Sequence, residues 1–268
     1  AAEEPGGHLP GTDGKGGEFV KLVKLEFDKC RRRKVLLVCA AVVAAELLWF
    51  GMYLTRQDGS DLVQGWLLLF YNLAVIDAII LPISVATIAS RNCELEHKGA
   101  TLKLLETTVT PGQLYTAKLI WGALVLAALL AVRSVLFLGM GVQAGFPGPV
   151  PWGQFALFTL LSWAVSMMIY ALQQGLSLRF ANQAAALVCG IFGSFVGIMS
   201  MLFPDWLVRC VPWGYYGLMA LARMQWDEAT RFTQYFWRQP EMLDVVLLCL
   251  WGILFLLIGR TLFVRKEV

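Results

Sequence analysis

The sequence predicts an all-α, polytopic membrane protein, and three observations carry that expectation. Of the 268 residues, 58% are hydrophobic and 15% charged, against roughly 45–50% and about 25% in soluble domains. Six apolar runs reach the ~20 residues that a helix needs to cross a hydrocarbon layer of about 30 Å: 35–55, 63–89, 115–141, 153–178, 183–203 and 243–263. Lysine and arginine gather at the ends of these runs, with "KCRRRK" at 29–34 abutting the first. Basic flanks stay in the cytoplasm, so the first span starts inside and six crossings return the C-terminus there, placing both termini in the cytoplasm at the plasma membrane.

Residues 1–18, "AAEEPGGHLPGTDGKGGE", carry Gly and Pro without periodicity and read as a flexible tail or a remnant foreign to the fold. The six-span domain is expected over 19–268. Gly14-Lys15 is followed by Gly16, so no phosphate-binding loop is completed there, and any nucleotide hydrolysis belongs to another chain. The net charge of +3 is small, which gives nucleic-acid binding little support. Cys39, Cys189 and Cys249 fall inside apolar runs and Cys30 and Cys93 in basic flanks, so no disulfide framework is implied.

Ahead of the first span, Phe19, Val20, Leu22, Val23, Phe27 and Cys30 share one arc at helical spacing while Lys21, Lys24 and Asp28 face away. That pattern predicts an interfacial helix with its basic edge toward anionic headgroups. Glu26 intrudes on the apolar edge and calls for a polar partner. Within the spans lie Glu46, Asp77 and Arg133, each costing about 2.5–3.5 kcal/mol on insertion scales unless it faces protein or water. By position along the spans, Arg133 is expected to pair with Glu46, as a static ion pair that fixes helix register, as part of a proton path, or as a pair that breaks and re-forms between inward and outward states. Pro82 kinks the second span, and Gly190, Gly193 and Gly197 allow close helix approach in the fifth.

Between the second and third spans runs "ELEHKGATLKLLETTVTPGQLYTAK", a charged segment in which "ATLKLLETT" reads as a short amphipathic helix and Thr110-Pro111-Gly112 as a turn. This stretch resembles the cytoplasmic connection of type-2 ABC exporter permeases. Glu94 and Glu96 stand at the acidic positions, Gly99 and Thr101 at the Gly-Thr pair, Leu104 and Leu105 at the paired leucines, Pro111 at the proline and Lys118 at the lysine. Ala100 interrupts the Gly-Thr pair and Thr108-Val109 precede Thr110, both departures from the pattern. The amphipathic start and the "GRTLFVRKEV" ending are also similar to that family, with the lantibiotic and bacitracin immunity permeases as the nearest branch.

The resemblance implies a cytoplasmic coupling helix docked on an ATP-binding subunit, present in two copies and carrying ATP and Mg. No cofactor or metal is expected in this chain itself. A second permease copy or paralogue would complete the path, and lipid would surround it. The implied cargo is an amphipathic peptide antibiotic or lipid-like compound, exported as resistance or immunity. The last outer connection holds Trp206, Trp213, Tyr215, Tyr216, Trp226 and Trp237; Pro204, Pro212 and Pro240 cut it into short pieces expected to re-enter the interface as helices or to form an aromatic belt. Two other classes stay open: a membrane-embedded enzyme using Glu46 and Asp77, and a non-transporting scaffold or sensor. Against the enzyme, the two histidines, His8 and His97, lie outside the spans.

Overall fold

Apolar side chains on every face of a long helix leave its backbone no option but internal hydrogen bonds, and such helices dominate the computed structural model. It describes residues 13–31, 34–57, 61–97, 110–180, 182–227 and 232–266. In chain order these form α1 (Asp13–Arg31), α2 (Val35–Leu54), α3 (Gly65–His97), α4 (Pro111–Gln143), α5 (Trp152–Arg179), α6 (Ala184–Ser200), α7 (Asp205–Val208), α8 (Tyr215–Leu218), a hairpin of β1 (Ala222–Asp227) and β2 (Phe232–Trp237), and α9 (Met242–Lys266). Among the described residues five helices, α2, α3, α4, α5 and α9, are long and apolar enough to cross a membrane. The remaining expected span, 183–203, is the shorter α6, whose 17 residues extend about 26 Å.

The helices run up and down, and α3 lies at the centre, packed against α2, α4, α5 and α6. Leu22 of α1, Leu114 and Tyr115 of α4, Leu178 of α5 and Phe263 of α9 form one buried cluster, so both ends of the described chain lie at the same end of the bundle. The hairpin occupies the opposite end. There Phe70 of α3 meets Phe155 at 4.7 Å, Trp237 at 5.2 Å and Phe158 at 5.6 Å between ring centroids, and such pairs contribute about 0.5–1.5 kcal/mol each beyond burial.

Lipid tails are as apolar as leucine, so helices associate through close packing and polar contacts rather than hydrophobicity. The glycine series of α6 shows this. A Cβ on Gly190 would meet the Ala86 Cβ at 2.4 Å, and one on Gly197 the Ala78 carbonyl oxygen at 2.9 Å. Pro82, which has no N–H to offer Ala78, lies in this contact, and Ser194 of α6 donates to the neighbouring Ile79 carbonyl. The small residues thus serve packing within one chain. The kink residue and the glycine stripe are two halves of a single helix–helix contact.

Two expectations about local structure need correction. Helix α1 begins at Asp13, so residues 13–18 extend the helix instead of belonging to the tail; once a helix is nucleated, each added residue costs little. The aromatic connection before α9 holds two one-turn helices and also an antiparallel hairpin, in register from Ala222↔Trp237 to Asp227↔Phe232. Its first strand, "ARMQWD", alternates apolar and polar residues, a period of two that suits strand and not helix, and it pairs with "FTQYFW". The Tyr235 N–H donates to Gln64 Oε1 at 3.0 Å, which ties the hairpin to the start of α3.

Candidate functional site

Polar groups inside an apolar bundle find partners or are expelled, so the buried polar clusters mark where the chain holds more than packing. The first cluster lies at the α1 end. Glu26 is fully buried, and its Oε2 accepts from Lys118 Nζ at 2.7 Å while its Oε1 accepts from Lys29 Nζ at 2.7 Å. The Lys118 ammonium also donates to the Asn92 carbonyl at 2.8 Å. In return, Asn92 Nδ2 donates to the Tyr170 hydroxyl at 2.8 Å and to the Lys118 carbonyl at 3.2 Å. Gln174 Nε2 donates to the Tyr115 carbonyl at 3.0 Å. Four helices, α1, α3, α4 and α5, are therefore joined at one point.

Tyr170 reaches this point because α4 carries Gly122 opposite it: a Cβ there would stand 2.2 Å from the Tyr170 ring. Helix α1 reaches it through its apolar face, with Leu22 buried and the Phe27 ring edge-on to Trp121 at 6.3 Å between centroids. Phe19 and Val23 pack against the same cluster. The expected apolar arc is divided: Leu22 and Glu26 are covered by protein, while Val20 and Phe27 stay exposed. Glu26 sits in the middle of the buried face, drawn there by a lysine one helix away.

The cluster brackets the charged connection. Asn92 lies in the last turns of α3 before the connection, and Lys118 in the second turn of α4 after it. Pro111 starts α4 at the position where a missing N–H costs nothing, and the Thr110 N–H donates to Gln113 Oε1 at 3.3 Å. Gly99, Thr101, Leu104 and Leu105 lie outside the described residues, as does the Glu96 side chain, while Glu94 is half-buried. Lys118, expected beside the partner subunit, is fully buried with its ammonium held inside the chain. Cys93 is likewise fully buried.

The second cluster is in the middle of the bundle. Both terminal nitrogens of Arg133 on α4 bind Asp77 of α3, Nη1 to Oδ1 and Nη2 to Oδ2 at 3.2 Å. The Ser162 hydroxyl of α5 donates to Asp77 Oδ2 at 2.8 Å. Glu46 of α2 stands 3.7 Å from Arg133 Nη1, an ion-pair distance without a hydrogen bond. The expected Glu46–Arg133 pair is thus subordinate. A fork-shaped guanidinium takes the carboxylate that can receive both of its arms, and Asp77 faces it squarely.

The third cluster ties the connection after α6 to α9. Arg209 Nε donates to Asp244 at 2.6 Å and Nη2 to Glu241 at 2.5 Å, while Arg223 and Arg238 each donate to Asp205 at 2.8 Å. The carboxylates of Asp244 and Glu241 hold the Arg209 guanidinium above its ordinary value. Tyr215 and Tyr216 are buried, their hydroxyls bonded to the Arg209 carbonyl at 3.1 Å and the Ser166 hydroxyl at 3.1 Å. Burial pushes the Tyr216 hydroxyl's ionisation upward. Trp213 packs on Gly193, whereas Trp206 and Trp237 are exposed; the Trp226 side chain lies outside the described residues. The expected aromatic belt is therefore partly a folded plug, because its tyrosines find polar partners inside.

Beside this cluster is a cavity of about 320 Å³ with apolar walls from Ala74, Val75, Leu202 and Leu218 and a charged rim of Asp205 and Arg223. A second space, about 540 Å³, is an almost wholly apolar groove between α2 and α4, lined by Phe27, Val43, Leu47, Leu129 and Leu136. Sequence reading missed Asn92, Tyr170 and Ser162; the one signal was a polar residue inside an apolar run, shared by many that only pack.

A family profile described as an ABC-2 family transporter protein matches residues 22–197, which covers well over half of the chain. The match takes in α1 through most of α6, and with them the first two polar clusters. No curated protein matches. An apolar up-and-down bundle, a buried clasp at the roots of a charged connection and this match agree, and the chain belongs to the ABC-2 transporter family as a membrane-spanning permease subunit.

Proposed function

We propose that this permease is half of an ATP-driven exporter that takes an amphipathic substrate, a peptide antibiotic or lipid-like compound, out of the membrane. The single observation that carries the reading is the clasp of Glu26, Lys118 and Asn92 around the roots of the 98–109 segment. Force applied to that segment by a separate ATP-binding subunit reaches α3, α4 and α1 together, because Lys118, on α4, bonds to Glu26 of α1 and Asn92 of α3. In this reading the α1 end faces the cytoplasm, and two ATP-binding subunits carry ATP and Mg. Glu94, Glu96, Gly99, Thr101, Leu104 and Leu105 form the docking lever, and Lys118 holds the lever's root rather than touching the motor.

A second permease bundle, identical or paralogous, completes the path, and the apolar groove between α2 and α4 supports such a neighbour. The cavity beside the hairpin, with apolar walls and a charged rim, supports an amphipathic cargo of the kind that the lantibiotic immunity branch removes. Copurification tests the reading: an ATP-binding chain is expected to accompany this one, with a hydrolysis rate that changes on adding a cationic peptide antibiotic. Failure to capture any such chain from its native membrane sinks it. Sidedness is read from Arg91→Cys, an exposed position, since the natural Cys93 is buried from a membrane-impermeant, water-soluble reagent. Labelling of Arg91→Cys from outside intact cells overturns the orientation.

A further inference from the structure

Two carboxylates and one guanidinium meet in the middle of the bundle, and the charges do not balance if all three ionise. Asp77 receives both arms of Arg133 and the Ser162 hydroxyl, so its negative charge is neutralised and hydrogen-bonded. Glu46 is 0% exposed, and among the described residues neither of its oxygens has a hydrogen-bond partner. The charged groups facing it are Arg133 from α4 and Asp77 from α3; Tyr216 of α8 approaches the far side of the cluster and bonds Ser166. An ionised Glu46 would be a carboxylate in an apolar interior with no donor of its own, which is far more costly than burying the neutral acid. A proton placed on Asp77 instead would forfeit the charge-assisted fork and leave Arg133 facing a carboxylate 3.7 Å away.

We propose that this cluster is a proton-binding site inside the membrane: it holds one proton, on whichever carboxylate Arg133 does not clasp, and in this state the proton is on Glu46. The small gap between Nη1 and Glu46 lets the guanidinium change partner by a rotation of its side chain. When it does, Glu46 gives up its proton and Asp77 takes one. The proton and the guanidinium exchange places between α2 and α3, and the cluster's net charge stays at zero. Any movement of α2 relative to α3 that favours one pairing thereby moves a proton. This inference does not depend on the cargo or on the ATP-binding partner.

The test uses the purified full chain in lipid nanodiscs. Infrared difference spectra of the wild type against Glu46→Gln are expected to show a protonated carboxylic acid carbonyl band at neutral pH that the variant lacks. Dicyclohexylcarbodiimide, which modifies protonated carboxyls from the lipid phase, is expected to label Glu46 and to spare Asp77 by mass spectrometry. In Asp77→Asn, Arg133 turns to Glu46, which ionises, and both the band and the Glu46 adduct are lost. A wild-type spectrum without the band overturns the proposal, and that comparison does not require Asp77→Asn to fold. Undiminished labelling of Glu46 in a folded Asp77→Asn overturns it as well.

Discussion

The two buried charge clusters are built to different specifications. At the α1 end, Glu26 accepts from two lysines and Lys118 donates to two acceptors, and Asn92 and Tyr170 complete the circuit. In the middle of the bundle one guanidinium faces two carboxylates and satisfies one of them. The first arrangement meets both Glu26 oxygens with an ammonium each and behaves as a clasp. The second has two pairings related by a side-chain rotation, so it retains a choice. The difference lies in whether the carboxylate is met by donors, not in burial, since Glu26 and Glu46 are both fully buried.

The largest expected effect breaks the choice in the central cluster. Combining Asp77→Asn with Glu46→Gln strands Arg133 among apolar side chains and is expected to lower the unfolding free energy in mixed micelles by about 3–5 kcal/mol. Each single variant leaves Arg133 one carboxylate, so the double loss should exceed the sum of the singles, with Glu46→Gln alone the mildest. Additive losses in that double-mutant cycle would mean that the two acids do not substitute for one another.

Lys118→Met tests the clasp. It leaves Glu26 with Lys29 alone and is expected to cost about 1–3 kcal/mol in the same assay. Replacing both partners, Glu26→Leu with Lys118→Leu, should recover most of that loss, because a buried pair is often replaceable by apolar side chains of similar size. A double variant as unstable as the single would show that the clasp's hydrogen bonds to Asn92 matter more than its charge. Gly122→Ala acts on the same circuit from behind: its Cβ collides with the Tyr170 ring, and displacing that ring is expected to cost about 1–3 kcal/mol. Retained stability with a wild-type Tyr170 environment by fluorescence would refute the contact.

The smallest effect contrasts both with the hairpin-end cluster, where Tyr215 and Asp244 are buried beside a partly exposed Arg209. Burial, with Asp244 nearby, pushes the Tyr215 hydroxyl from its ordinary 10.0 up to about 12. A group whose folded value is raised contributes stability that is intact below the unfolded value and is lost as pH climbs through the folded one. The Tyr215 contribution is therefore whole below pH 10 and disappears between about 10 and 12. Tyr215→Phe should be less stable than wild type at pH 8, and the gap should close in that window. A gap independent of pH would assign the loss to packing.

Much of this protein was legible as a string. Five of the six expected spans are helices of crossing length, and the other, 183–203, is helical over Ala184–Ser200. The two clusters' charged members, Glu26, Lys118, Glu46, Asp77 and Arg133, were all visible as charges out of place. Their partners were not. Asn92 and Tyr170 look like many other polar residues in apolar runs, and nothing in their spacing says that they meet Lys118. The hairpin escaped notice because its two six-residue strands are short and rich in aromatic residues, which suit an interfacial helix equally well.

The sequence by itself determined that this chain spans a membrane and which side chains could not face lipid, because transfer of a residue into hydrocarbon depends on its own chemistry and local run. Only the tertiary structure decided that Arg133 clasps Asp77 in preference to Glu46, that Lys118 turns inward, and that α1 lies on protein. Those outcomes depend on how each helix is rotated about its axis against its neighbours. Rotation is set by the summed fit of small residues, rings and hydrogen bonds across several helices, and no single run contains that sum.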